Sequence, residues 1–205
     1  MKAFLISTGV VFLGEMGDKT QLLSLLLAAK FRRRLPIVAG ILVATIINHG
    51  FAGAAGTWLA ATLGTGVLRW VVGLSFLGMA AWTLIPDKID SDLIDATHRF
   101  GVFGTTVLAF FLAEMGDKTQ IATVALAARY HDLMSVVAGT TLGMLLADVP
   151  AVLLGKTIAM KVSMRLVHMV AALIFALLGV MALTDTFSEL HLSSPETESS
   201  SRPAG

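Results

Sequence analysis

Two copies of the segment EMGDKTQ, at residues 15–21 and 114–120, each lie inside a long apolar run. In a helix, a glutamate and the aspartate three residues after it share a face, so each copy presents a pair of carboxylates. A bare charge within hydrocarbon costs from about 2.5 kcal/mol upward. The four acids must therefore face one another, a polar cavity or a cation, and oxygen donors around a small void suit a hard divalent cation. These candidate metal ligands are Glu15, Asp18, Glu114 and Asp117.

The other polar residues of the two segments can support these acids. The hydroxyl and amide side chains could add neutral oxygens or hold the carboxylates in place, and each lysine could pair with the glutamate four residues before it or extend away. The supporting residues are Thr20, Gln21, Thr119, Gln120, Lys19 and Lys118. Gly17 and Gly116 allow either close helix approach or a local unwinding that frees carbonyl groups. The alternative interpretation of each segment is a buried salt-bridge staple without a ligand.

Composition places these segments in a membrane. The chain has 205 residues, of which 56% are hydrophobic and 14% charged, and its mean hydropathy is +0.81. Soluble domains carry about 25% charged residues, so the prediction is an all-α polytopic membrane protein. The sequence has no cysteine, which excludes disulfides and thiolate metal sites, and a net charge of +1 gives no indication of nucleic acid binding. No signal peptide is convincing because two acids interrupt the first apolar run.

Hydropathy predicts six spanning helices, which need about 20 mostly apolar residues each. The windows are about 3–29, 36–62, 67–86, 101–128, 133–155 and 163–186. A shift of 99 residues aligns the first three windows with the last three, so we expect two three-helix repeats. The predicted organisation is repeat one at 1–86, an acidic cytoplasmic loop at 87–99, repeat two at 100–187 and a disordered tail at 188–205.

An odd number of spans per repeat predicts that the two copies insert in opposite orientations, which is a transporter architecture. Each motif glutamate lies about eleven residues into its span, or about 17 Å, near the middle of a hydrocarbon layer of about 30 Å. With both termini outside, the inner segments carry nine Lys and Arg residues and the outer segments carry four. We therefore expect the termini to lie outside.

Three further polar residues fall within predicted spans. Asn48 and His49 lie in the second window, and the 99-residue shift places Asp148 opposite His49. A carboxylate and an imidazole at related depths could relay protons, and Asp148 also precedes Pro150, which frees a backbone carbonyl. The alternative for His49 is an ordinary hydrogen bond between helices.

The doubled E-x-G-D-[KR]-[ST] pattern in two three-helix halves resembles the small cation/proton antiporter family. That family includes Golgi and chloroplast manganese–calcium transporters and bacterial manganese exporters of the MneA type. The resemblance covers about residues 1–187, both motifs fit without departure, and the central insert of larger relatives is absent. It implies that the four motif acids bind the transported cation and that the protein is a multi-pass protein of a bacterial inner membrane.

The function predicted from these features is export of Mn²⁺, or of Ca²⁺, in exchange for protons by alternating access, with the same carboxylates binding cation and proton in turn. No enzymatic activity and no cofactor are expected, and the expected partners are the divalent cation, protons and the lipid bilayer. The sequence leaves open a Ca²⁺/H⁺ antiporter, a structural or channel subunit, an intramembrane hydrolase, sodium coupling and the oligomeric state. The hydrolase lacks a Ser/His/Asp or His-x-x-His arrangement.

Overall fold

The computed structural model describes residues 1–85, 100–154 and 164–184, and this part of the chain forms eight α-helices. In chain order they are α1 Lys2–Glu15, α2 Lys19–Phe31, α3 Arg34–Thr62, α4 Thr65–Thr83, α5 Gly101–Glu114, α6 Lys118–Tyr130, α7 Leu133–Leu154 and α8 Met164–Leu183. Helices α3, α4, α7 and α8 are long and apolar enough to cross a membrane. The prediction of an all-helical membrane protein is confirmed for the described residues, whereas the predicted loop at 87–99 and tail at 188–205 lie outside them.

The spans predicted at 3–29 and 101–128 are each two helices, so a continuous helix there is wrong. The first span breaks between α1 and α2, and the other breaks 99 residues later, between α5 and α6. Of the two roles considered for the motif glycines, local unwinding is the one observed, because φ is +81° at Gly17 and +73° at Gly116. Glycine adopts positive φ without the steric cost that other residues incur.

The second helix of each broken pair also ends in the same way in both halves. Arg32 and His131 both have φ of 53°, and their backbone N–H groups donate to Ala28 and Ala127, respectively, at 3.1 Å. The next helix begins at once, and at α7 the carboxylate of Asp132 accepts a 3.1 Å hydrogen bond from the backbone N–H of Ser135. Hydrogen bonding to Ser135 holds the pKa of this exposed carboxyl below its ordinary value.

Long helices from one half pack on broken helices of the other half at glycines. A Cβ on Gly40 of α3 would lie 2.7 Å from Thr106 Cβ of α5, and a Cβ on Gly139 of α7 would lie 2.5 Å from the Phe4 carbonyl oxygen of α1. Gly40 and Gly139 are 99 residues apart, so equivalent contacts recur in the two halves. Close packing at these glycines therefore joins each broken span to a long helix of the other half.

Helices α4 and α8 pair with each other through equivalent residues, since the rings of Phe76 and Phe175 stack with centroids 6.4 Å apart. This pair packs on α1 and α6. One buried apolar cluster joins α4 and α8 to α1, α6 and Val136 of α7, and a second joins α2, α3, α5 and α7 to Val11 of α1. Many large apolar side chains on the outer surface are exposed, as expected for contact with lipid.

Candidate metal centre

The two helix breaks place the four motif acids at helix ends. Glu15 is the last residue of α1 and Asp18 is the N-cap of α2, and Glu114 and Asp117 hold the same positions in α5 and α6. In both breaks the aspartate N–H donates to the glutamate carbonyl at 3.1 Å. Each break therefore fixes its two acids close together on the backbone.

The motif glutamines stabilise the breaks instead of adding ligands. The backbone N–H of Gly17 donates to Gln21 Oε1 at 3.0 Å, and that of Gly116 donates to Gln120 Oε1 at 2.8 Å. The amide of Gln21 also donates to the Ala147 carbonyl of α7 at 3.0 Å. These bonds satisfy N–H groups that would otherwise lack partners at the unwound turn.

Glutamates and aspartates occupy opposite electrostatic environments. A helix carries partial negative charge at its C-terminus and partial positive charge at its N-terminus. The aspartates, at the N-termini of α2 and α6, are stabilised as anions, whereas the glutamates, at the C-termini of α1 and α5, are not. A cation beside the glutamates would therefore relieve repulsion from both the carboxylates and the helix ends.

Three of the four acids converge, and all three are fully buried. One carboxylate oxygen from each of Glu15, Glu114 and Asp117 lies within 4.8 Å of the others. Thr20 donates to Oε2 of Glu15, and Thr119 donates to Oε2 of Glu114 at 3.0 Å. The other oxygen of each glutamate is buried and has no hydrogen-bond partner in the described part of the chain. Two oxygens are thus left available for a ligand.

Each lysine binds the aspartate of the other half. The sequence suggested instead that each lysine pairs with the glutamate four residues before it or extends away, and neither arrangement is observed. Lys118 Nζ lies 2.7 Å from Asp18 Oδ1, with both side chains almost fully buried, and Lys19 Nζ lies 2.9 Å from Asp117 Oδ1. The Lys19 side chain is 23% exposed, so the two bridges are not equivalent. The structure thus places Asp18 with Lys118 and outside the three-acid group.

The polar residues of the long helices also have distinct positions. Asn48 donates to the Phe111 carbonyl of α5 at 3.2 Å, and His49 is fully buried with no hydrogen-bond partner on either ring nitrogen among the described residues. Asp148 is fully buried and accepts a 3.2 Å hydrogen bond from Ser24 of α2. The interhelical hydrogen bond considered for His49 is therefore not observed there.

Sequence reasoning missed Ser24. The sequence signal that could have indicated it is its spacing, one helical turn after Thr20 of the motif. In the structure, Thr20 donates to a motif glutamate. Serine is common in membrane helices, so this spacing alone does not distinguish a partner of a buried acid.

A cluster of buried carboxylates with hydroxyl donors can bind a hard divalent cation. The same oxygens can bind protons when the cation leaves, because close carboxylates cannot all remain charged in a site of low dielectric. The arrangement therefore supports exchange of a cation for protons at one place.

Comparison with known proteins gives consistent results. The model of the family described as divalent cation/proton antiporter GDT1 matches residues 3–91 and again residues 102–190. The chain is 50% identical over 188 residues to a Vibrio cholerae protein named "Putative manganese exporter", covering 91% of this chain and 92% of that protein. It is 28% identical over 228 residues to GDT1-like protein 5 of Arabidopsis thaliana, covering 89% and 96%. No solved structure matches the chain.

Proposed function

Because the chain belongs to the GDT1 family of divalent cation/proton antiporters, we propose that it exports Mn²⁺ across a bacterial inner membrane in exchange for protons. The observation that carries this proposal is the convergence of Glu15, Glu114 and Asp117 in a buried site. The name of the Vibrio cholerae relative supports manganese as the cation. Ca²⁺ is the second candidate, because oxygen ligands of this kind also suit it.

The proposed topology is six spans in two inverted halves with both termini outside. Helices α1 and α2 form one broken span, α5 and α6 form another, and α3, α4, α7 and α8 are the remaining four. The 99-residue recurrence of helices and contacts supports this arrangement. The excess of Lys and Arg on one side supports the orientation.

Transport follows from one site that two ligands share. Cytoplasmic Mn²⁺ binds the three converging carboxylates, and Asp18 becomes a fourth ligand when Lys118 moves away from it. One half then rocks against the other, the cation leaves outward, and protons from outside occupy the acids. The protons leave to the cytoplasm on return, which completes an exchange without a nucleotide.

The decisive experiment is flux into liposomes containing the purified protein. An imposed pH gradient should drive saturable Mn²⁺ transport, and comparing Mn²⁺, Ca²⁺ and Mg²⁺ would give the preference. Glu15→Gln and Glu114→Gln should each abolish flux, because each removes a charge while retaining size and an oxygen.

The matched control is Asp132→Asn, which removes an exposed acid while retaining an N-cap residue. Its flux should match that of the unmodified protein. Full transport by either glutamine variant would refute the shared site, and flux that neither saturates nor responds to the pH gradient would favour a channel.

A further inference from the structure

Asp148 is a fifth buried carboxylate beside the acid cluster. Its Oδ1 accepts the hydrogen bond from Ser24, and its Oδ2 is buried with no hydrogen-bond partner in the described ranges. Its charge lies close enough to Glu15 and Asp18 to interact with both. Neither crossed lysine bridge involves it, so it is an acid that the three-carboxylate site does not account for.

A cavity of about 560 Å³ opens between the end of α2 and the end of α7, and its lining begins on α7 one helical turn beyond Asp148. Ala28 and Val152 line it, and they lie one helical turn beyond Ser24 and Asp148 on the same helix faces. The Ser24–Asp148 contact therefore joins α2 and α7 one helical turn before the residues that line the cavity. Asp148 thus has two motif acids near it and cavity-lining residues one helical turn away.

In the other half, α3 packs closely on α6 around Ala127. A Cβ on Gly56 of α3 would lie 2.3 Å from the Val124 carbonyl oxygen and 2.9 Å from Ala127 Cβ of α6. Ala127 is fully buried, whereas Ala28, its counterpart 99 residues earlier, is only partly buried and lines the cavity. A second cavity, of about 290 Å³, lies instead among α4, α6 and α8.

The helix pair α4–α8 packs on α1 and α6 and lines the second cavity together with α6. Helices α2 and α5, the half-spans on the cavity side, belong to the other apolar cluster. Among the described residues, the larger cavity thus lies at the end of α2 and the smaller one at the end of α6.

We propose that Asp148 is the gateway carboxylate of the transport path, binding the divalent cation after it leaves the cavity and before it reaches Glu15, Glu114 and Asp117. This inference rests on the proposed function and on the proposed orientation, in which the cavity faces the cytoplasm. Arg32 and Arg34 line the mouth of the cavity and repel cations there. A carboxylate at the inner end offsets that repulsion and gives an arriving cation its first ligand.

The first test measures access and does not require transport. The chain has no cysteine, so an introduced thiol is the sole thiol. Ala28→Cys and Ala127→Cys are equivalent positions in the two halves, and each is treated with a membrane-impermeant thiol reagent in inside-out and in right-side-out vesicles. We expect labelling of Ala28→Cys in inside-out vesicles and of Ala127→Cys in neither; equal labelling of both thiols would overturn the assignment of the path.

The second test measures Mn²⁺ flux in liposomes. Asp148→Asn should raise the Mn²⁺ concentration for half-maximal flux by about tenfold or more, because a charge on the path is lost, and should reduce the maximal rate less. Ser24→Ala removes only the hydrogen bond to Asp148, so it should raise the Mn²⁺ concentration for half-maximal flux by a smaller factor. This variant provides the test if Asp148→Asn does not fold. A folded Asp148→Asn protein with unchanged half-saturation would refute the gateway role, while absence of flux in the unmodified protein would instead refute the proposed function.

Discussion

The two crossed lysine bridges should differ in their contribution to stability. Lys118→Met removes the buried ion-pair partner that lies 2.7 Å from Asp18, and breaking a buried pair by removing one partner costs about 3–5 kcal/mol. Lys19→Met should lower the free energy of unfolding by less than this, because water reaches the Lys19 side chain, which is 23% exposed. The loss should still exceed the value for an exposed pair, which is about 1 kcal/mol or less.

Thermal unfolding of the purified variants in detergent measures this difference. On a scale of about 2–4 °C per kcal/mol for a chain of this length, Lys118→Met should lower Tm by about 6–20 °C. Adding Asp18→Asn should recover most of the loss, since removing both charges leaves none unpaired.

The control is Lys2→Met, an exposed lysine at the start of α1, which should change stability by about 0.5 kcal/mol or less. Two results would contradict the reasoning. One is a fall in Tm for Lys19→Met that equals or exceeds the fall for Lys118→Met. The other is a variant with both Lys118→Met and Asp18→Asn that is no more stable than Lys118→Met alone. Either result would mean that the bridges do not differ in burial or that Lys118 acts through other contacts.

Three other predictions follow from the same features. Gly116→Ala should lower the free energy of unfolding by about 1–2 kcal/mol and reduce flux, because the φ of Gly116 is +73°. Space for a Cβ is open there, so the cost comes from the backbone conformation. The control is Gly9→Ala, at an equally open position in a helix, which should be neutral or stabilising in the same unfolding assay. Arg34→Gln should lower the Mn²⁺ concentration for half-maximal flux at low ionic strength and have little effect at high salt, since it removes a repulsive charge from the cavity mouth. A reporter fused after Ser194 should be detected on the periplasmic side, and a cytoplasmic signal would contradict the orientation proposed from the Lys and Arg count.

The helices were largely predictable from the sequence because hydropathy depends on composition over many residues. The windows at 36–62 and 133–155 correspond to α3 and α7 within two residues at each end. The breaks were left as one of two alternatives, since a glycine in a membrane helix also serves close packing. Positive φ at Gly17 and Gly116 decides between these roles and is a property of the folded backbone.

The pairing within the site could not be predicted from helical spacing. On a continuous helix Lys19 lies one turn after Glu15, which suggests a pair within one segment. The break interrupts the helix between these residues, and Lys19 instead reaches Asp117 in the other half. The separation of Asp18 from the other three acids depends on the same long-range contacts and has no local sequence signal.

The crossed bridges make each half of the chain the counter-ion of the other. A single half synthesised alone would keep its aspartate and its lysine without their partners in hydrocarbon, so it should not be stable by itself. Two copies of one half, inserted in opposite orientations, would provide both bridges for each other. In the inverted arrangement proposed above, the present chain is thus equivalent to an antiparallel dimer whose two subunits have been fused, and fusion allowed them to diverge. His49 and Asp148, which occupy equivalent positions, show this divergence, because one half carries an imidazole where the other carries an acid.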